Sequence, residues 1–388
     1  MTQSYQKSMN ILLIAALLTA HAGTALGDQS DGHRSVPASA AQELLSGLSI
    51  DPAAITVSGL SSGGFFAHQF HIAFSSRVMG AAIVAGGPYG CVDIISNPFM
   101  PWTQLKPLSA ALVACTHTVG DRFWGLRPKP PQASDSANLV TEAFLAGQID
   151  DPDHLKNDRV WLFHGSMDRV VSPQIGTALA ELYQILVPEG AVATTTEEHD
   201  QPASHGMPIA RAQFETGSSA PECAEHAAPY LIHCGFDATG LFLAHLYGDS
   251  FEGAYADPDE MGMLLSFDQS AFFENGADAS LADLGYIYLP HDCFSDECGL
   301  HVAFHGCEQS VQVANGSFTR DEFLHESGYT HWAGGNRIVV LFPQVKPSRS
   351  NPRGCWDFWG FTGSDWRTRE GLQMRAVAAM IEAIAGVH

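Results

Sequence analysis

The feature that most constrains this 388-residue chain is the stretch ITVSGLSSGGFFAHQFHIAF, residues 55–74. A β-like run from Ile55 to Ser58 meets a glycine-rich turn, after which Phe66, Phe70 and Phe74 recur at helical spacing. This predicts a strand, a sharp turn and a helix. Gly59-Leu60-Ser61-Ser62-Gly63 sits at the turn as a G-x-S-x-G sequence. Such a match is weak by itself, and its context gives it weight. Glycines allow a strained turn that exposes the serine Oγ at the C-terminal edge of a sheet, and the helix N-terminus behind it favours developing negative charge.

Further runs repeat the pattern. AAIVAGG from Ala81, Val160 to Phe163, Thr194 to Glu197, Tyr286 to Leu289, Leu300 to Phe304 and Arg337 to Phe342 read as strands. Ala137 to Gly147 and the amphipathic Glu370 to Ala385 read as helices. Strands alternating with helices imply an α/β fold with a mostly parallel central sheet covered on both faces. Residues 215–280 read as irregular surface decoration over the sheet's edge. With 45% hydrophobic residues and neither repeat nor low-complexity linker, one domain over 46–388 is expected, behind a mobile leader at 28–45.

A serine hydroxyl attacks only when a base takes its proton, and the base needs an orienting acid. Asp168 in FHGSMDRVV follows a predicted strand, and His205 in PASHGMP lies in a loop after the next one. Asp121 and Asp158 compete for the acid role, and His199, His164 and His233 for the base. The order Ser61, Asp168, His205 is that of the α/β-hydrolases. A tetrahedral intermediate also needs two backbone N–H donors. Ser62 supplies one, and the other is expected from Cys307 in LHVAFHGCEQ, whose His-Gly pair resembles an esterase oxyanion loop. That loop normally precedes the nucleophile; here it follows by more than two hundred positions. Circular permutation accounts for this, because joining the last helix to LSIDPAAITVSGLSSGG restores the ordinary order. Ser61, Asp168 and His205 with the amides of Ser62 and Cys307 describe acyl transfer, which needs no cofactor.

MTQSYQKSMNILLIAALLTAHAGTALG reads as a secretory signal peptide over 1–27, its apolar run from Ile11 to Leu18 too short to span a bilayer. The expected location is secreted or periplasmic, with no stable membrane insertion. Export fits eight cysteines; sequence does not fix their connectivity, and sequence-adjacent pairing, supported by local loop closure alone, would give 91 with 115, 223 with 234, 293 with 298 and 307 with 355. No paired CxxC spacing points to a metal. A net charge of −23, from 42 acidic and 19 basic residues, disfavours nucleic acid as a partner.

The segments ITVSGLSSGGFFAHQF, VAGGPYGC, FHGSMDRVV, FHGCEQS, VVLFPQ and GCWDFWG resemble those of poly(3-hydroxybutyrate) depolymerases, and their order is similar to that of the single-domain, circularly permuted branch. The resemblance implies a serine esterase with Ser61, Asp168 and His205 as its triad, Ser62 and Cys307 as its oxyanion hole, and polyester as its partner. It also implies that Trp356 and Trp359 of GCWDFWG line the polyester site. The branch with an appended polymer-binding domain is not matched, which counts against efficient attack on crystalline polymer unless an exposed apolar patch on the catalytic domain adsorbs it. An exported esterase acting on acetylated or feruloylated polysaccharide, a peptidase, and a non-catalytic binding protein on the same scaffold are the alternatives.

Overall fold

A computed structural model describes residues 34–35, 48–94, 115–116, 130–187, 191–194, 202–210, 220–273, 279–311 and 321–386. The expected signal peptide and all of the expected leader except Arg34 and Ser35 lie outside the described residues.

In chain order the elements that matter here are β1 (Arg34–Ser35), β2 (Ile50–Leu60), α1 (Ser62–Ala73), β3 (Gly80–Val84), α2 (Ala133–Leu145), β4 (Arg159–Phe163), α3 (Pro173–Leu186) and β5 (Ala191–Thr194). There follow β6 (Met207–Ile209), β7 (Leu231–His233), α4 (Ala238–Tyr247), β8 (Gly262–Asp268), β9 (Leu284–Pro290), β10 (Cys298–Phe304), α5 (Tyr329–Gly335), β11 (Ile338–Phe342) and α6 (Leu372–Ala385). Nine strands make one sheet in the order β1-β8-β9-β11-β10-β2-β3-β4-β5. Only β9 runs antiparallel to its neighbours. The remaining two, β6 and β7, form a small parallel pair.

The sheet is buried on both faces, as a parallel sheet must be to satisfy its near-continuous apolar strands. Phe66 and Phe70 of α1, Val140 of α2, Leu179 and Leu182 of α3 and Val377 of α6 fill one face. Phe242 and Leu243 of α4 and Tyr329 of α5 fill the other. Central β2 nevertheless buries two hydroxyls, and β10 satisfies them. Thr56 Oγ1 and Ser58 Oγ lie 2.7 Å from the Nδ1 and Nε2 of His301. Burial pushes that imidazole down to about 3, which keeps it neutral in the core.

One expectation needs correction. The described residues of the 215–280 segment are not edge decoration, since β8 is a seven-residue strand of the main sheet and α4 packs on its face. The GMLLSFD sequence of β8 lacks the alternation that marks a half-buried strand, and the surrounding Asp and Gly hid it. The helix α3 also escaped notice, although Ile175, Leu179, Leu182 and Leu186 of PQIGTALAELYQIL have helical spacing behind an N-terminal proline. Within the expected leader, Arg34 and Ser35 pair parallel with Leu265 and Ser266, covering the edge that β8 would otherwise present. Of the strand expected at Thr194–Glu197, Thr194 ends β5 and residues 195–197 lie outside the described residues.

All four disulfides follow sequence order: Cys91–Cys115, Cys223–Cys234, Cys293–Cys298 and Cys307–Cys355. Among the described residues no helix is long and apolar enough to cross a membrane.

Candidate active site

The turn between β2 and α1 has the strain its sequence implies. Ser61 is a non-glycine residue with φ +57° and ψ −120°, a conformation held by its surroundings: its N–H donates to Val84 O (2.9 Å) and its carbonyl accepts from Phe65 N (2.9 Å). The flanking glycines are there for space. A Cβ on Gly59 would stand 2.2 Å from the Gly63 carbonyl oxygen, and one on Gly63 would stand 2.2 Å from that of Phe304 at the end of β10. The helix start and the oxyanion strand are therefore pressed together at Gly63.

Three side chains from separate loops meet at this turn. His205 Nε2 lies 2.8 Å from Ser61 Oγ, and His205 Nδ1 lies 2.7 Å from Asp168 Oδ2. Asp168 follows β4 and accepts from the N–H groups of Val170 (2.8 Å) and Val171 (2.9 Å) on Oδ1. His164 Nε2 approaches its other oxygen at 3.4 Å. Burial alone would push the Asp168 carboxyl up; the adjacent His205 and His164, with their hydrogen bonds, outweigh it and hold the group below the usual carboxylate range. Asp168 therefore stays an anion that orients the imidazole.

The loop carrying His205 is sutured to its neighbours. Met167 N donates to Ala203 O (3.0 Å), Ser204 N donates to Cys223 O (2.7 Å), and His226 Nδ1 lies 3.2 Å from His205 O. Of the competitors, Asp158 pairs with His71 at 3.0 Å, away from the turn, and His233 lies on β7. Asp121 and His199 lie outside the described residues.

The loop after β10 brings Cys307 to the other side of Ser61, and both residues line one cleft of about 370 Å³. Among the described residues, the amides of Ser62 and Cys307 donate to no protein group. His305 fixes this loop: Val345 N donates to its Nε2 (3.3 Å), so its Nδ1–H faces the Gly306 carbonyl oxygen at 2.7 Å. Burial brings the His305 imidazole down to about 4, consistent with that neutral form. Gln309 completes the support, accepting from Gly306 N (2.7 Å) and donating to Pro229 O (2.9 Å).

The two tryptophans part company. Trp359 lines the cleft, with Phe358 beside it. Trp356 does not reach it: fully buried, it packs against Phe66, Phe304 and His305 beneath the oxyanion loop. Its backbone N–H donates to Ser62 Oγ (3.3 Å), which holds the residue behind the nucleophile turn, on the core side. Sequence reasoning missed Tyr230, His226, Glu308 and Arg353, which also line the cleft. Only Glu308 had a visible signal, as the residue following Cys307. It missed Asp357 as well, whose carboxylate accepts from the N–H groups of Trp359, Gly360, Phe361 and Thr362 and from Thr362 Oγ1, and so shapes the aromatic wall. No group of His, Cys, Asp and Glu among the described residues is arranged to hold a metal.

Fold and site together define an α/β-hydrolase-fold protein. Within that class the chain is similar to polyhydroxybutyrate depolymerases. It is 32% identical over 348 residues to a poly(3-hydroxybutyrate) depolymerase of Delftia acidovorans, a match covering 88% of this chain and 61% of that protein. It is 29% identical over 365 residues to a polyhydroxybutyrate depolymerase of Talaromyces funiculosus, covering 89% of this chain and 94% of the relative. Its structure resembles the crystal structure of a PHB depolymerase from Penicillium funiculosum with a TM-score of 0.69 at 26% identity, over 91% of this chain and 99% of that one. A PHB depolymerase with serine replaced by alanine, complexed with an R3HB trimer, matches with a TM-score of 0.68 at 26% identity, over 91% of this chain and 99% of that chain. No family model matches the chain.

Proposed function

We propose that this protein is an exported serine esterase that hydrolyses poly(3-hydroxybutyrate)-type polyesters through an acyl-enzyme. The observation that carries the reading is the unbroken relay from Ser61 Oγ through His205 to Asp168, with Ser61, His205 and Cys307 lining one cleft. His205 Nε2 takes the Ser61 proton as Oγ attacks the ester carbonyl, while Asp168 holds the imidazole tautomer. The amides of Ser62 and Cys307 receive the developing oxyanion. The protonated His205 passes its proton to the departing alkoxide end of the chain. A water deprotonated by His205 then releases the acid, regenerating Ser61. Trp359 supplies apolar surface to the polyester backbone.

The polyester as substrate is supported by the similarity to depolymerases, one of them holding a 3-hydroxybutyrate trimer. Circular permutation fits the sheet order, in which late β10 lies beside early β2, and the packing of terminal α6 on β2. Export through the 1–27 segment fits four disulfides, which form in oxidising compartments.

The test is clearing of an amorphous poly(3-hydroxybutyrate) suspension by the protein lacking residues 1–27, beside its Ser61→Ala variant, with soluble products identified by mass. Clearing by the parent alone, with release of 3-hydroxybutyrate or its oligomers, is expected. Loss of Ser61 should lower kcat by about 10⁶-fold. A folded parent that reacts with an organophosphonate yet releases nothing from the polymer would keep the nucleophile and discard the polyester.

A further inference from the structure

The substrate proposed above is neutral along its length and carries one charge, the carboxylate at its acid end. Among the described residues, Arg353 is the one lysine or arginine that lines the cleft, and Glu308 fixes its position. Glu308, directly after Cys307, has a left-handed backbone at φ +68° and a buried side chain. Its Oε1 lies 3.2 Å from Arg353 Nε, and its Oε2 accepts from the Tyr230 hydroxyl at 2.8 Å. Glu308 N also donates to Arg353 O (2.8 Å). A buried carboxylate in a strained turn thus grips the guanidinium by its Nε side.

That grip leaves the other edge free. The Arg353 Nη groups donate to nothing among the described residues, and the side chain is 72% exposed. Two parallel N–H donors on the edge of a planar guanidinium match a carboxylate, which they can hold bidentately. The neighbouring amides are already spent. Gln309 bonds Gly306 and Pro229, and Asn351 bonds the N–H and carbonyl of Cys355. With a net charge of −23 the rest of the molecule repels anions, so an anionic chain end finds its favourable contact at Arg353.

We propose that Arg353, oriented by Glu308 and Tyr230, is a subsite for the terminal carboxylate of hydroxyalkanoate oligomers, giving the enzyme a preference for acid-ended chains. This rests on the polyester reading above, and the two fail differently.

The experiment compares kcat/KM for the 3-hydroxybutyrate trimer as free acid and as methyl ester, in the parent, Arg353→Gln and Arg353→Lys, with p-nitrophenyl butyrate turnover as a check of folding. The parent should prefer the free acid by about three- to fivefold, through KM, the size expected of one largely exposed charge-assisted contact. The preference should vanish in Arg353→Gln, persist in part in Arg353→Lys, and shrink as salt rises. Equal cleavage of both trimers by the parent, or a preference that survives Arg353→Gln, overturns the subsite and leaves the polyester reading standing. Turnover of the p-nitrophenyl ester with neither trimer cleaved overturns both.

Discussion

The two walls of the cleft are held by different physics. One is a line of hydrogen bonds between polar side chains: Ser61 after β2, His205 before β6 and Asp168 after β4, each bond 2.7 or 2.8 Å long. The other is covalent and apolar, the Cys307–Cys355 bridge with Phe358 and Trp359 packed edge-to-face beyond it. The polar wall acts through individual atoms, so losing one should be all-or-none. The apolar wall acts through shape, and its losses should be graded.

The largest effect is expected on the polar wall. Asp168→Asn keeps volume but removes the charge and offers His205 Nδ1 an amide in place of a carboxylate, favouring the wrong tautomer. Turnover of a soluble ester should fall about 10⁴-fold, measured by kcat with thermal unfolding as a control. A fall of less than tenfold would mean that the orienting acid is some other residue, and the contrast between the walls would collapse.

The covalent wall comes next. Replacing Cys307 and Cys355 together by serine opens a bridge spanning 48 positions, which the chain-entropy estimate values at about 4 kcal/mol of stability. Because Cys307 also carries the proposed oxyanion amide, kcat should drop roughly ten- to a hundredfold, short of the loss of a donor outright. Calorimetry and kcat on the same soluble ester read the two effects separately. A kcat equal to the parent's would show that His305 and Gln309 hold the loop without the disulfide.

This contrast also explains what the sequence reveals. Ser61, Asp168 and His205 are legible because acyl transfer restricts residue type, and because the strand-turn-helix frame around 55–74 and the strand before Asp168 place two of them. The disulfides follow the sequence-adjacent pairing, which sequence suggests without fixing, since Cys307 and Cys355 lie 48 positions apart and only the fold brings them together. The element β8 is not, since GMLLSFD is a strand only through its pairing with β9, a contact that no local periodicity encodes. Glu308, Tyr230 and Arg353 are not legible for the same reason: 78 positions separate the first two, and only the fold brings them to one edge. Trp356 and Trp359 are the sharpest case, three residues apart in one motif and yet on opposite sides of the wall.

That pair gives the smallest and most discriminating prediction. Trp356 is enclosed by Phe66, Phe304 and His305, and its Nε1 has no hydrogen-bond partner. Trp356→Phe therefore forfeits packing but no polar contact, and should cost about 1–2 kcal/mol in thermal or denaturant unfolding with KM for polyester oligomers close to the parent's. Trp359→Phe trims a ring that lines the cleft with only 3% of its surface exposed, so it acts through the shape of the wall and should raise that KM about twofold. If both variants change KM equally, the aromatic segment acts on substrate as one rigid body, and burial of Trp356 beneath the oxyanion loop transmits its loss to the site. If only the Trp359 variant does, the segment divides at Asp357, whose carboxylate gathers the N–H groups of Trp359, Gly360, Phe361 and Thr362 and so fixes the cleft side of the turn independently of the core side.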